Sequence, residues 1–468
     1  MNMINVRRLT VMTFLGASML SGISAQVSPL QVDTLKETKI PDQWDLQSCI
    51  DYAKEQNITI RKNRITAAST QIDVKTAKAA MFPSLSFSTG QQVVNRPYQE
   101  TSSRVSGSEI ISSNSKTSYN GNYGLNASWT LYNGNKRLKT IQQEKLNNQM
   151  AELDVATSEN NIQESIAQVY IQILYAAESV KVNENTLQVS IAQRDRGQEL
   201  LNAGSIAKSD LAQLEAQVST DRYQLVTAQA TLEDYKLQLK QLLELDGENE
   251  MNIYLPALSD ENVLAPLPTK RDVYISALSL RPEIEASKLN VEASELGINI
   301  AKSSYFPTIS LSAGIGTNHT SGSDFTFGEQ VKNGWNNSIG LSVSVPIFNN
   351  RQTKSAVQKA KLQYETSMLS LLDEQKALYK TIESLWLDAN SAQQRYAAAN
   401  EKLKSTQISY ELISEQFNLG MKNTVELLTE KNNLLSAQQQ RIQAKYMAIL
   451  DRTLLNFYAC LLYTSPSP

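Results

Sequence analysis

From Asp45 to Ala80 apolar residues recur at helical spacing, and Pro83 then stops the pattern, because the residue before a proline disfavours the helical region. The period changes to two: Leu85 and Phe87 alternate with Ser84, Ser86 and Ser88, which predicts a strand. After a Ser/Asn/Gly-rich loop, Tyr123, Leu125, Ala127, Trp129 and Leu131 mark one face of a second strand. Beyond Asn133-Gly134 a helical pattern returns, on which Ile162, Ile166, Val169, Ile173, Ala176 and Val180 are spaced 4-3-4-3-4. That spacing is a narrow coiled-coil seam on an otherwise Gln/Asn/Lys/Glu surface. An Asn-x-Gly break, Asn202 to Gly204, then leads into a returning helix.

The whole order is written twice. KAAMFPSLSFSTG at 78–90 matches KSSYFPTISLSAG at 302–314, an offset of 224, and NYGLNASWTLYNGNK matches NSIGLSVSVPIFNNR with Gly124 and Gly340 offset by 216. The Asn-x-Gly breaks, ending at Gly204 and Gly420, keep the offset of 216, so the first copy carries the longer loop between its strands. Repeat 1 is placed at 45–254, with strands at 84–90 and 119–131, a long helix over 137–203 and a returning helix over 209–245. Repeat 2 is placed at 269–459, with strands at 308–316 and 337–346 and helices over 351–418 and 424–458. The three prolines of LPALSDENVLAPLP, 255–268, mark the linker.

A helix of about 67 residues is about 100 Å long. The two shorter helices of each copy sum to a similar length, so each copy is expected to set one long helix beside two short ones. The strands should lie at one end and the Asn-x-Gly turn at the other. Strands with an apolar face, a Ser/Thr/Asn/Gly face and terminal aromatics such as Trp129, Tyr132 and Phe348 fit a membrane β-barrel. A small soluble sandwich alternates in the same way but needs a second sheet, for which there are too few strands. In lipid a sheet must close. Four strands cannot, eight leave an interior filled by side chains, and twelve, from three chains, are the smallest set expected to leave a water-filled opening.

The chain ends are read separately. Arg7 and Arg8, the apolar run Leu9 to Leu20 and Ala25 make residues 1–25 a signal peptide, followed by an N-terminal extension over 26–44. No cysteine follows that site closely enough to carry a lipid, and Cys49 is expected as a buried small residue near a helix start. CLLYTSPSP, 460–468, breaks the helical pattern and reads as a non-native tail. No later run of about 18 apolar residues supplies a helical membrane span.

Composition removes other classes. A formal net charge of −3 gives no basic face for nucleic acid. No His/Cys/carboxylate cluster has metal-ligand spacing, and neither a phosphate-binding loop nor a nucleophile elbow is present, so neither a cofactor, a bound metal nor enzymatic chemistry is expected. The single histidine, His319, is expected exposed in a loop. Scattered methionines weigh against a copper- or silver-specific path.

The signal peptide, the doubled helix-strand-strand-helix-turn-helix order, the Phe-Pro strand starts, the LYNGN and PIFNN strand exits and the paired Asn-x-Gly turns together resemble the TolC family of outer-membrane efflux proteins. The resemblance covers about residues 43 to 459. It implies an α+β membrane protein: a homotrimer whose twelve-stranded barrel, four strands per chain, sits in the outer-membrane lipid and continues into a periplasmic helical tunnel. It further implies an exit duct for small molecules, docked by a periplasmic adaptor protein and an inner-membrane pump in a Gram-negative type of envelope. A duct for type I protein secretion, and a non-transport trimeric coiled-coil adhesin or anchor, remain as alternatives.

Residue by residue, the resemblance makes Glu426 the acidic ring of the periplasmic constriction, and Lys422 with Asp210 a gate latch. Phe417 stands where the family often has a tyrosine able to join that latch, and Thr429 where a second acidic ring can occur, with Glu430 as a substitute. Asn202, Gly204, Asn418 and Gly420 would form the tips met by the adaptor. The plainer reading of Asp210 and Glu426 is capping, since each opens a helix whose N-terminal dipole favours a carboxylate.

Overall fold

The computed structural model describes residues 40–98, 102–106, 109–113, 116–246, 251–256, 263–321, 323 and 325–459. The signal peptide, most of the N-terminal extension and the 460–468 tail lie outside them. One compact unit begins at Gln43.

Its first copy comprises α1 (Leu46–Gln56), α2 (Ile58–Ala79), β1 (Ser84–Asn95), a hairpin of β2 (Ser102–Ser106) and β3 (Glu109–Ser113), β4 (Thr117–Asn133), α3 (Lys136–Asn202) and α4 (Lys208–Leu242). The second comprises α5 (Lys270–Leu280), α6 (Pro282–Ser303), β5 (Thr308–Thr320), α7 (Phe327–Asn333), β6 (Asn336–Ser344), α8 (Gln352–Asn418) and α9 (Thr424–Tyr458).

Each opening helix is two helices, a correction to the single span expected over Asp45 to Ala80. Asn57 leaves helical geometry (φ −60°, ψ 126°) and caps α2, its Oδ1 accepting from Thr59 N and Ile60 N. In the second copy Pro282 forces Arg281 into the extended region at φ −76°, ψ 125°. The strands β1 and β5 also outrun their expected ends at 90 and 316, reaching Asn95 and Thr320. Their continuations, in β1 with Val93 and Val94 side by side, have no apolar alternation to reveal them but pair through the backbone, Asn95 with Thr117 and Thr320 with Asn120. Instead of reaching 346, β6 stops at Ser344, shortly before Pro346, which has no N–H to give a ladder.

The main sheet is antiparallel in the order β1-β4-β5-β6. Register puts Leu85, Ala127, Ala313 and Ile339 on one rung, and Trp129, Leu311 and Leu341 on the next. The opposite face carries Ser84, Ser128, Ser312 and Gly340, then Ser86, Asn126, Gly314 and Ser338. Among the described residues nothing covers the apolar face: Ile339 is 83% exposed and Leu341 65%.

His319 is buried rather than looped out. It lies in β5 opposite Gly121, ringed by Tyr119, Tyr123 and Phe327 at centroid distances of 5.2, 6.0 and 5.0 Å. The short helix α7 supplies Phe327, and Gly121 leaves room that a side chain would take, since a Cβ there would collide with the His319 imidazole.

The helices continue the order of the strands. Near the sheet α3 packs against α2 and α6, and α6 against α8, giving α2-α3-α6-α8. Farther along, α3 meets α4 and α9, and α9 meets α8. The short helices meet end to end: Asn57 Nδ2 donates to Leu242 O at 3.1 Å, and Ile58 N to Glu244 Oε1 at 3.2 Å. At the matching joint of the second copy Arg281, paired with Glu283 at 2.7 Å, lies 4.2 Å from the centre of the Tyr458 ring. The core lies at this level, where Trp44, Cys49, Ile166, Leu239, Leu243 and Tyr446 join the two copies. Burial pushes the Cys49 thiol up to about 12, with the Asp45 charge adding to it, which keeps it from acting as a thiolate.

Candidate functional site

Both Asn-x-Gly turns close by the same hydrogen bonds. Gly204 N donates to Leu201 O at 2.9 Å and Ser205 N to Leu200 O at 2.8 Å; Gly420 N donates to Phe417 O at 2.9 Å and Met421 N to Gln416 O at 2.8 Å. This is the Schellman closure, which needs a left-handed residue, and the glycines supply it at φ 72° and 74°. A Cβ at either would meet no atom within 4 Å, so the glycine is there for its backbone alone. Asn202 and Asn418 end their long helices just before these turns. Around the second turn Leu419, Met421 and Val425 stand exposed.

The residues expected to form a latch are placed differently. Asp210 turns back on its own helix, its Oδ2 accepting from Ala207 N at 3.0 Å. Lys422 Nζ donates to Glu426 Oε1 at 2.7 Å, so within the chain Lys422 is not joined to Asp210. The reason is local: Lys422 and Glu426 are four apart at a helix start, within reach of each other without any movement of the first hairpin.

Glu426 also completes a capping box, accepting from Asn423 N at 3.3 Å while Asn423 Oδ1 accepts from Glu426 N at 2.9 Å. The Lys422 hydrogen bond, then the Asn423 backbone N–H, hold its carboxyl below the usual carboxylate range. Phe417 is buried at the base of the turn. Thr429 donates to Val425 O within its helix, and Glu430 accepts from Ser409 of α8 at 2.9 Å.

The charged tie between the two hairpins lies elsewhere. Lys431 of α9 donates to both Asp221 Oδ2 of α4 and Ser190 Oγ of α3, and Ser190 donates to the same carboxylate oxygen. The other oxygen, Oδ1, accepts from Gln217 at 2.8 Å. Lys431, Asp221 and Ser190 are 3%, 1% and 2% exposed. The signal in the sequence was their place on buried seams. Asp221 follows Leu214 and Val218 at 4-3 spacing, Lys431 follows Leu427 by four, and Ser190 lies midway between Asn183 and Gly197 at intervals of seven. A polar residue at a seam position fixes register between helices.

A doubled chain, a sheet with one uncovered apolar face, and long hairpins ending in matched turns are thus in place. The family model described as outer membrane efflux protein matches over residues 49–244 and again over 273–457. The chain belongs to the outer membrane efflux protein family. The two matched stretches fall within the two copies.

Among relatives, the outer membrane efflux protein BepC of Brucella suis is 25% identical over 64% of this chain and 63% of its own length. The outer membrane protein TolC of Escherichia coli is 23% identical over 61% of this chain and 58% of its own. The chain therefore spans less than two thirds of the length of these two proteins. The crystal structure of the Campylobacter jejuni CmeC outer membrane channel shares the fold, with a TM-score of 0.73 over 92% of this chain and 91% of that one, at 16% identity. As in the rest of the family, the setting is the outer membrane, and no described helix is long and apolar enough to cross a membrane.

Proposed function

We propose that the chain is one third of an outer-membrane exit duct, which passes small molecules from the periplasm outward and works by conduction rather than by catalysis. The observation that carries this reading is the pair of open edges. Among the described residues β1 and β6 each have one unpaired side, and they run in opposite directions, so β6 of one copy and β1 of the next can pair antiparallel like every other neighbour in the main sheet. Lipid does not tolerate an open edge, and three copies give a barrel of twelve strands.

The helices offer the same closure. Edge helix α2 exposes Ile58, Ile65 and Ile72 at intervals of seven, and edge helix α8 exposes Leu362, Leu369, Leu372 and Tyr379. Such heptad stripes are what a neighbouring helix would cover. The polar face of the sheet then lines the passage and the apolar face meets lipid.

In this reading the six turns of a trimer gather at the periplasmic end. Glu426 lines the constriction with Lys422 beside it, and the exposed Leu419, Met421 and Val425 beside Gly420 form an apolar tip for a periplasmic adaptor that brings an inner-membrane pump. The test is dye accumulation in cells lacking this protein. Restoring the chain should lower accumulated dye, and equal accumulation with and without it, alongside a loss of secreted protein, would favour the secretion duct.

A further inference from the structure

Between the first hairpin and α9 runs a polar groove of about 630 Å³, lined by Ser179, Asn183, Gln217, Tyr223, Asn432 and Gln439 among others. The two hairpins are thus incompletely packed against each other here. Neutral pairs cross the gap: Ser179 with Gln439 at 3.0 Å, Gln217 with Asn432 at 3.4 Å, and Gln193 with Tyr410 of α8 at 2.8 Å. An ion pair, Lys431 with Asp221, also joins the hairpins, and it is buried with Ser190.

We propose that Lys431, Asp221 and Ser190 are the positioning residues of the gate. They hold α9 against α3 and α4 in the register of the closed tunnel, in place of the surface pair Lys422–Asp210. This role rests on the chain being a duct. Lys431 is eleven residues beyond Gly420 and seven beyond Thr424, the first residue of α9, about 10 Å along the helix, so it controls the turn end without being part of the constriction.

The chemistry suits a two-state tie. Together the groups satisfy one another, with both carboxylate oxygens bonded. Apart, each charge regains water. A buried ion pair sits near balance between Coulomb attraction and desolvation, so it fixes register without making the joint permanent. Burial lowers the Lys431 pKa, while the Asp221 hydrogen bond and charge act to raise it, so the ammonium depends on that partner.

The experiment is single-channel recording of the purified full assembly in planar bilayers, with thermal stability of the assembly followed in parallel. Lys431→Met should raise resting conductance several-fold, and Lys431→Asp combined with Asp221→Lys should return it toward the wild-type level. Ser190→Ala, which leaves no charge unpaired, should shift conductance in the same direction by less. If the substitutions only weakened packing, stability would fall while conductance stayed fixed, and that result overturns the proposal. Should Lys431→Met fail to assemble, unchanged conductance in Ser190→Ala overturns it equally. A wild-type protein that forms no channel refutes the duct reading itself and takes this proposal with it, whereas a conducting wild type with indifferent variants refutes the tie alone.

Discussion

At the residue scale, Lys422 masks Glu426. Its ammonium sits 2.7 Å from the carboxylate proposed to line the constriction. Lys422→Ala should therefore make the channel more cation-selective by exposing the Glu426 charge, as read from reversal potentials in a salt gradient; an unchanged reversal potential would remove Glu426 from the pore. Asp451 gives a pH prediction. Burial first, and the Asp388 charge second, push its carboxyl from 3.8 up to about 6, while Arg395 opposes them. The folded chain then holds a proton that the unfolded chain has released, so stability falls as pH rises from about 4 through about 6. Asp451→Asn should add up to about 3 kcal/mol at neutral pH and nothing below about pH 4. Denaturation at the two pH values checks this.

Legibility at this scale followed chain distance. The Asn-x-Gly turns and the Asn423–Glu426 cap are short-range patterns, and the second of these could be read as capping from sequence alone. The tie of Lys431 to Asp221 and Ser190 spans 210 and 241 residues. Each member, taken singly, looks like one more polar residue on a polar helix. Within one chain the Lys422–Asp210 contact is not formed for a related reason: it would join two hairpins, and Glu426, four residues away, holds the lysine.

At the scale of elements, doubling carried most of the fold, because a strand of five alternating residues is ambiguous once and informative twice. Neither break in the opening helices is plain in the sequence: no proline marks Asn57, and Pro282 is also at home in the first turn of a helix. The far ends of β1 and β5 are not marked in the sequence because they lack apolar–polar alternation and pair through backbone that side-chain periodicity does not report. The face assignment of the sheet makes its own prediction. Leu341 and Ser312 lie on neighbouring strands but on opposite faces. Leu341→Arg should cost about 2 to 4 kcal/mol in lipid if it sits near the bilayer midplane. Ser312→Arg, on the face assigned to the passage, should leave folding nearly intact and reduce conductance. Urea unfolding in vesicles, followed by bilayer recording, separates the two.

At the scale of the whole molecule, each four-stranded sheet and each layer of helices ends in two edges that nothing among the described residues covers. β1 and α2 form one edge, β6 and α8 the other. Because strands and helices share one order, a single rotation between copies could close both at once, with β6 and α8 of one copy meeting β1 and α2 of the next. Closure by three copies is the central claim, and the passage, the gate and the adaptor tip all depend on it. The most direct measurement is the mass of the assembly released from lipid nanodiscs in native mass spectrometry. Three chains per particle is the predicted result, and a stable particle of one or two chains would contradict it.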